Sequence, residues 1–429
     1  MGGAWGGGAA PRRVAPMGGQ GGGGVAPSRG ALGALAAGAG RDGADGRLAA
    51  ARGLGHGAGM AWDLAVVGAG VVGLAHALAA ARRGLRVVVL ERDARCVGAS
   101  IRNFGFVTVT GQQAGDCWEK ARRARAVWAE VAAAAGIPVL QEGLLVTARR
   151  PEAAAVIDAF LATGMGAGCR RLSRAEAAEV APVGAGVTAA LWSPHEIRVE
   201  SREAIPRLAA WLAEAHGVTF RFGVEVREVR APRVETSAGV VEAGAVVVCP
   251  GDTVTGPFAG RLAAYGVTRC KLQMMRLRPR APARLGAAVM SDLGLARYLG
   301  YAELPEAARL AARLDAEQPE HRANGVHLIA VQSADGSLVV GDSHHYGATP
   351  DPFGSAEVDA LILGELGEAL ALGPVEVTER WVGTYASAPG RWRLTDAPDD
   401  ATRVVMVTAG CGASTAFAIG EETVEGLFG

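Results

Sequence analysis

Leu64-Ala65-Val66-Val67-Gly68-Ala69-Gly70-Val71-Val72-Gly73-Leu74-Ala75-His76-Ala77-Leu78-Ala79-Ala80-Ala81-Arg82-Arg83-Gly84 reads as a strand, a turn and a helix in succession. The opening apolar run suits a strand buried on both faces. Residues 74–83 are strong helix formers and stop at Gly84. Val87-Val88-Val89-Leu90 is a second buried strand, closed by Glu91. Gly68 permits the tight turn, Gly70 leaves room for a pyrophosphate beside the backbone, and Gly73 lets the helix pack on the sheet. The free N–H groups at Val71 and Val72 and the positive dipole end of the helix face the phosphates. Glu91, roughly 20 residues beyond the glycines, is placed to accept hydrogen bonds from ribose hydroxyls and disfavours a 2′-phosphate. Arg92 beside it is a further candidate contact. Strand, turn, helix, second strand and acid agree on a dinucleotide-binding unit; the motif does not decide which dinucleotide. His76, among alanines, reads as a packed histidine.

The remainder of the chain is compatible with this unit. It has 429 residues, half of them hydrophobic, and equal numbers of acidic and basic side chains. The length suits about two domains. Zero net charge provides no general attraction to nucleic acid or an anionic membrane, so an acidic ligand must be recognised by a few local cations. The six cysteines are scattered without a Cys-x-x-Cys pair, as expected for reduced thiols of a cytoplasmic enzyme. The eight histidines form no His-x-x-x-His pattern, so no metal site is expected from spacing. Residues 1–59 are mostly Gly and Ala with Pro and Arg, too poor in large apolar side chains to join a core. They read as a disordered extension or a misread upstream start, with the working protein beginning at Met60. No later apolar stretch is long and uncharged enough to span a membrane.

From Met60 onward the sequence resembles the FAD-dependent oxidoreductases of the D-amino-acid oxidase superfamily, which includes glycine oxidase and sarcosine oxidase. Gly98-Ala99-Ser100-Ile101-Arg102-Asn103-Phe104-Gly105 matches the superfamily's flavin loop, which implies cofactor contacts at Ser100, Arg102 and Asn103. Val218–Phe222 and Val224–Val229 resemble its strand pair beside the adenine, with the Val226 backbone facing the ring. Ala245-Val246-Val247-Val248-Cys249-Pro250-Gly251 resembles the strand whose turn approaches the pyrophosphate; Pro250 departs from the pattern and leaves Gly251 as the only backbone donor. Val404–Val407 and Gly410-Cys411-Gly412-Ala413-Ser414-Thr415 resemble the closing strand and turn, which implies contacts at Gly412, Ser414 and Thr415. The implied fold is α/β: a discontinuous Rossmann-like FAD-binding domain (60–140, 196–260 and 375–429) with an inserted antiparallel-sheet α+β substrate domain (141–195 and 261–374). Residues 100–112, 193–199 and 341–346 further resemble a branch proposed to oxidise aminophosphonates.

What this resemblance implies is oxidation of a small primary or secondary amine, with hydride passing to flavin N5 and the imine hydrolysing afterwards. The implied donor is 2-aminoethylphosphonate or its N-methyl form; a glycine, sarcosine or D-amino-acid oxidase or dehydrogenase is the alternative. An NAD enzyme and a non-catalytic flavoprotein subunit are the rival classes. Lys271, Arg276, Arg297, Tyr298 and Tyr301 are candidates to hold the substrate's acid group. His344 and His345 are the candidate catalytic histidines. Adjacent strand residues point to opposite sides, so at most one of the pair faces the substrate, and His345 is favoured with His344 kept. Asp342 either orients an imidazole or caps the turn. Val339 stands near the place of a lysine that helps sarcosine oxidases react with oxygen, which argues against fast oxygen use; molecular oxygen or another electron acceptor completes the cycle. Residues 381–386 contain no cysteine, which implies non-covalent FAD.

Overall fold

The computed structural model describes residues 61–429; the reading of 1–59 lies outside them. Trp62–Val67 pairs in parallel with Val87–Glu91 on one side and Gly239–Val248 on the other. Thr219–Phe222 and Thr402–Val407 extend the sheet in the same direction, and Arg393–Asp399 closes one edge antiparallel. Central strands of this kind are covered on both faces, which is why Leu64, Val66 and Val87–Val89 are all apolar and buried. The helices Val71–Arg82 and Gly412–Phe428 cover one face. They approach closely because Gly420 has no side chain: a Cβ there would meet the Ala75 carbonyl at 2.8 Å. His76 is fully buried between them and donates Nδ1–H to the Val72 carbonyl at 2.7 Å.

The second sheet runs His345–Gly347, Thr268–Pro279, Leu338–Gly341, Ile329–Gln332, Ala288–Met290, Val139–Ala148, Ala189–Val199, Phe106–Val107. It is antiparallel with one exception, since Ala288–Met290 lies parallel to Leu144–Val146. Helices Pro151–Leu161 and Ala307–Glu317 bury Ile157, Phe160, Leu310 and Leu314 against it, as their apolar spacing predicts.

Three boundaries need correction. Val375–Ser387, grouped with the cofactor-binding pieces by sequence, pairs along its length with Thr268–Pro279, from Thr268↔Ser387 to Pro279↔Val375. It belongs to the larger sheet. Strands Val139–Ala148 and Ala189–Val199 likewise run across the boundaries drawn at 141 and 196. Pairing between segments a hundred residues apart leaves no local mark in a sequence.

This architecture brings the turns after the parallel strands, at Gly68–Gly70, Cys249–Gly251 and Thr408–Gly412, to the carboxyl edge of the first sheet, facing the second. Such an edge is where open α/β sheets bind ligands. No described helix is long and apolar enough to cross a membrane.

Candidate active site

The Gly-rich turn is held from two sides. The Glu91 carboxylate accepts the Ala69 N–H at 2.8 Å and the Asp93 N–H at 3.0 Å. The Ser100 hydroxyl accepts the Val71 N–H at 2.9 Å. Leu74 is the first residue to bond back into the helix, onto the Gly70 carbonyl, so the Val72 and Gly73 N–H groups remain free at the positive end of the helix dipole. In the flavin loop, Asn103 donates to the Ala99 carbonyl and accepts from Gly105, which fixes the loop shape.

Residues 104–110, which include the edge strand Phe106–Val107 of the second sheet, are anchored at both ends. The buried Glu196 carboxylate accepts the Thr110 N–H at 2.7 Å, and the buried Arg198 donates Nε–H to the Phe104 carbonyl. From the other side, the Ser414 hydroxyl accepts the Thr108 N–H at 2.8 Å. The quoted motif around 193–199 therefore works as a brace.

One cavity of about 650 Å³ lies along this edge. Gly70–Gly73, Ser100 and the Gly410–Ser414 turn line one part of it; Arg297, Tyr298, His327, Asp342 and His344 line another. His327, Asp342 and His344 are 3%, 4% and 8% exposed, so their polar atoms must find partners in the protein or in a ligand. Tyr298, His327 and His344 form a row of rings, with centroids 5.3 and 4.8 Å apart in turn. His344 Nδ1 donates to the Gly325 carbonyl at 2.9 Å, and His327 Nε2 meets the Tyr298 hydroxyl at 3.3 Å. Burial pushes the Asp342 carboxyl up to about 8, although the Arg297 charge pulls it back. Burial first, and then the Arg297 charge among others, holds both imidazoles well below their usual range. Burial thus works against charge on all three of these groups on the cavity wall. Arg297 donates to the Tyr346 hydroxyl at 3.0 Å and has no ion pair among the described residues.

A family model described as DAO, FAD dependent oxidoreductase, matches residues 63–426. The chain belongs to this family. Among solved structures, glycine oxidase from Bacillus cereus superposes with a TM-score of 0.68 at 19% identity, covering 85% of this chain and 94% of that one. Glycine oxidase from Geobacillus kaustophilus gives 0.67 at 21% identity, with 85% and 94% covered. L-proline dehydrogenase from P. horikoshii gives 0.67 at 19% identity, with 85% and 93% covered. At such identities the likeness is one of fold. No curated protein sequence matches the chain significantly.

The enzyme is therefore an FAD-dependent oxidoreductase, and its cavity fits the cofactor on one structural test. The Gly70 backbone is extended, so this glycine is not required by its dihedral angles. A Cβ there would instead lie 3.0 Å from the Ser100 hydroxyl, in the space beside the helix N-terminus. The missing side chain leaves a cradle where phosphates meet free N–H groups.

The sequence-derived contacts divide. Gly70, Val71, Val72, Gly73, Ser100, Arg102, Asn103, Gly251, Gly412 and Ser414 line the cavity. Gly68, Glu91, Arg92, Val226 and Thr415 do not. Gly68 makes the turn itself with a φ of 104°. Arg92 is exposed beside Asp93, and Val226 pairs with Thr236 in a hairpin off the main sheet. The Thr415 hydroxyl donates to its own turn at the Cys411 carbonyl.

The substrate candidates also divide. Arg297, Tyr298 and His344 line the cavity. Lys271 points away and donates Nζ–H to the Phe353 carbonyl. Arg276 is held by the Ser333 and Ser337 hydroxyls next to Glu200. Tyr301 is buried in the core under helix Pro151–Leu161, against Phe160. His344, in the loop just before strand His345–Gly347, is the histidine on the cavity wall rather than the favoured His345. His345 turns out to donate to Asn324.

His327 was not singled out by sequence. Its signal was a hairpin: two apolar runs, 328–331 and 338–341, around Ala334-Asp335-Gly336. Their register, Ile329↔Gly341, carries His327 to the side of Asp342. Residues 381–386, from which non-covalent FAD is expected, contain no cysteine. Acid precipitation is expected to release all the yellow colour into the supernatant; colour retained in the pellet would show a covalent bond elsewhere.

Proposed function

We propose that the enzyme oxidises a small primary or secondary amine bearing a remote acid group, most specifically an aminophosphonate such as 2-aminoethylphosphonate or its N-methyl form. The observation that carries this reading is Arg297: a guanidinium on the cavity wall whose one protein partner of note is a phenol hydroxyl. A half-buried cation without a carboxylate partner suits an anionic ligand, because a guanidinium fork meets phosphonate or carboxylate oxygens with paired charge-assisted hydrogen bonds. The likeness of residues 100–112 to the aminophosphonate branch supports the phosphonate over the carboxylate.

In this reading FAD, when bound, accepts the two electrons and the hydrogen of the C–H bond next to nitrogen. The residues at 70–73 and 412 hold the pyrophosphate and flavin ends, with the adenosine end toward Glu91. Arg297, Tyr298 and Tyr346 hold the acid group and so fix which carbon is presented. His344 is the one of the two candidate histidines that faces the substrate. The burial and the Arg297 charge that keep these imidazoles neutral act in the same direction on a substrate ammonium, so the amine sheds its proton on entering and its nitrogen lone pair becomes available. Molecular oxygen or another acceptor then removes the electrons. The six unpaired thiols suit a reducing cytoplasm.

The test is anaerobic flavin bleaching in a panel of amines. Aminophosphonates are expected to bleach the flavin fastest at equal concentration. Faster bleaching by glycine, sarcosine or a larger amino acid would replace the phosphonate reading with an amino-acid oxidase or dehydrogenase. No bleaching by any amine would remove the amine reading altogether.

A further inference from the structure

We infer that His327, Asp342 and His344 form a binding site for one divalent transition-metal ion on the cavity wall. One ligand atom from each residue lies within 4.8 Å of the other two, and all three side chains are more than nine-tenths buried. The inference concerns binding and stands independently of which amine the enzyme oxidises.

The hydrogen-bond accounting points to a missing electrophile. His344 uses Nδ1 as a donor, because its partner, the Gly325 carbonyl, can only accept. Its Nε2 therefore carries a bare lone pair, 3.8 Å from Asp342 Oδ2. His327 directs Nε2 to the Tyr298 hydroxyl and turns Nδ1 toward Asp342 Oδ1 at 3.1 Å. Neither Nδ1 of His327 nor Oδ1 of Asp342 has a hydrogen-bond partner in acceptable geometry, and both are inaccessible to solvent. When the Tyr298 hydroxyl accepts from His327, three acceptor groups meet and face nothing positive between them. Buried acceptors in that arrangement require either a shared proton or a cation.

The spacing suits a cation. Two bonds of about 2.0–2.1 Å opened at a tetrahedral angle hold their ligand atoms roughly 3.4 Å apart. His327 Nδ1 lies 3.1 Å from Asp342 Oδ1 and His344 Nε2 3.8 Å from Asp342 Oδ2, both near this value, and one ligand atom from each residue lies within 4.8 Å of the others. Both imidazoles also have the outer support usual for metal ligands: the ring nitrogen away from the site is engaged by a carbonyl or hydroxyl that fixes its orientation. Two imidazoles and one carboxylate leave coordination positions open, and the cluster lines the cavity. An ion there would accept an anionic oxygen of a phosphonate or carboxylate and share it with Arg297. The Arg297 charge opposes a bare cation, so the affinity should rise when such an anion is present.

Zinc is the probe, since N and O donors in this geometry suit it and it brings no redox chemistry. Holoenzyme stripped with a chelator and dialysed is titrated calorimetrically with ZnCl2, with and without methylphosphonate. The expected result is one saturable site per chain at micromolar zinc, tightened by methylphosphonate. His327→Ala and Asp342→Asn should each weaken it at least tenfold with FAD content retained, whereas His345→Ala, whose ring points to Asn324, should not. X-ray absorption of the zinc-loaded wild type, which needs no variant to fold, should show imidazole and oxygen neighbours. Absence of a zinc site, undiminished binding in both cluster variants, or a sulfur shell would overturn the inference. The first of these leaves a proton shared between Asp342 and His327 as the reason the three groups meet.

Discussion

Arg297→Met is expected to lower kcat/KM for the best anionic amine by about 150-fold, or roughly 3 kcal/mol, while FAD content stays at the wild-type level. The size follows from what is lost. A guanidinium fork facing an anion contributes paired charge-assisted hydrogen bonds, and its removal leaves the anion without its cationic partner. Arg297→Lys keeps the charge without the fork and should recover part of the loss. Lys271→Met is the contrast. Lys271 is bound to the Phe353 carbonyl and lies off the cavity, so the change should stay within about twofold, as for surface substitutions in general. Steady-state kinetics on the three variants decide the matter: equal losses in Arg297→Met and Lys271→Met would remove Arg297 from the substrate site.

The contrast between these two cations shows what the sequence could and could not reveal. Both belong to the segment read as the substrate side, and both looked alike as candidates. Their roles separate only through tertiary placement. Lys271 lies on a strand paired on both edges, where its direction depends on register, whereas Arg297 follows a short helical turn, Asp292–Ala296, that aims it at Tyr346. The Gly-rich turn was legible because each of its demands is local: a strand before it, a helix after it, and an acid at the end of the next strand. Even there, reading was generous toward the ligand. Glu91, Ser100, Asn103 and Ser414 were all taken as cofactor contacts, yet each first satisfies a backbone N–H of its own loops. Tight loops carry unpaired backbone groups, and their short polar side chains answer those before any ligand arrives. The cluster of His327, Asp342 and His344 was hidden for the opposite reason. No spacing motif links 327 to 342 and 344; the hairpin register does.

Gly70→Val is expected to yield a folded protein that has lost at least a thousandfold in FAD affinity, about 4 kcal/mol. Three glycines share the turn, and the structure assigns them different tasks. Gly68 has a positive φ, and a Cβ there would lie 2.5 Å from the Cys249 carbonyl oxygen. At Gly73 a Cβ would lie 1.9 Å from the Gly68 carbonyl oxygen. Side chains at either position collide with backbone, so those variants would test folding rather than binding. Gly70 is different. Its φ of −71° and ψ of 173° are open to valine, and the nearest obstacle to a Cβ is the Ser100 hydroxyl at 3.0 Å. Valine would displace that hydroxyl from the Val71 N–H and fill the space beside the free N–H groups of Val72 and Gly73. The fold should survive while the phosphate cradle does not. The variant should purify colourless, with the far-ultraviolet circular dichroism of the wild type. Its melting temperature should equal that of wild-type protein stripped of FAD, since the only stability lost is the part that ligand binding adds. A variant that keeps a full complement of FAD would show that the pyrophosphate does not lie at this turn. One that melts well below the stripped wild type would show that Gly70 serves the fold instead.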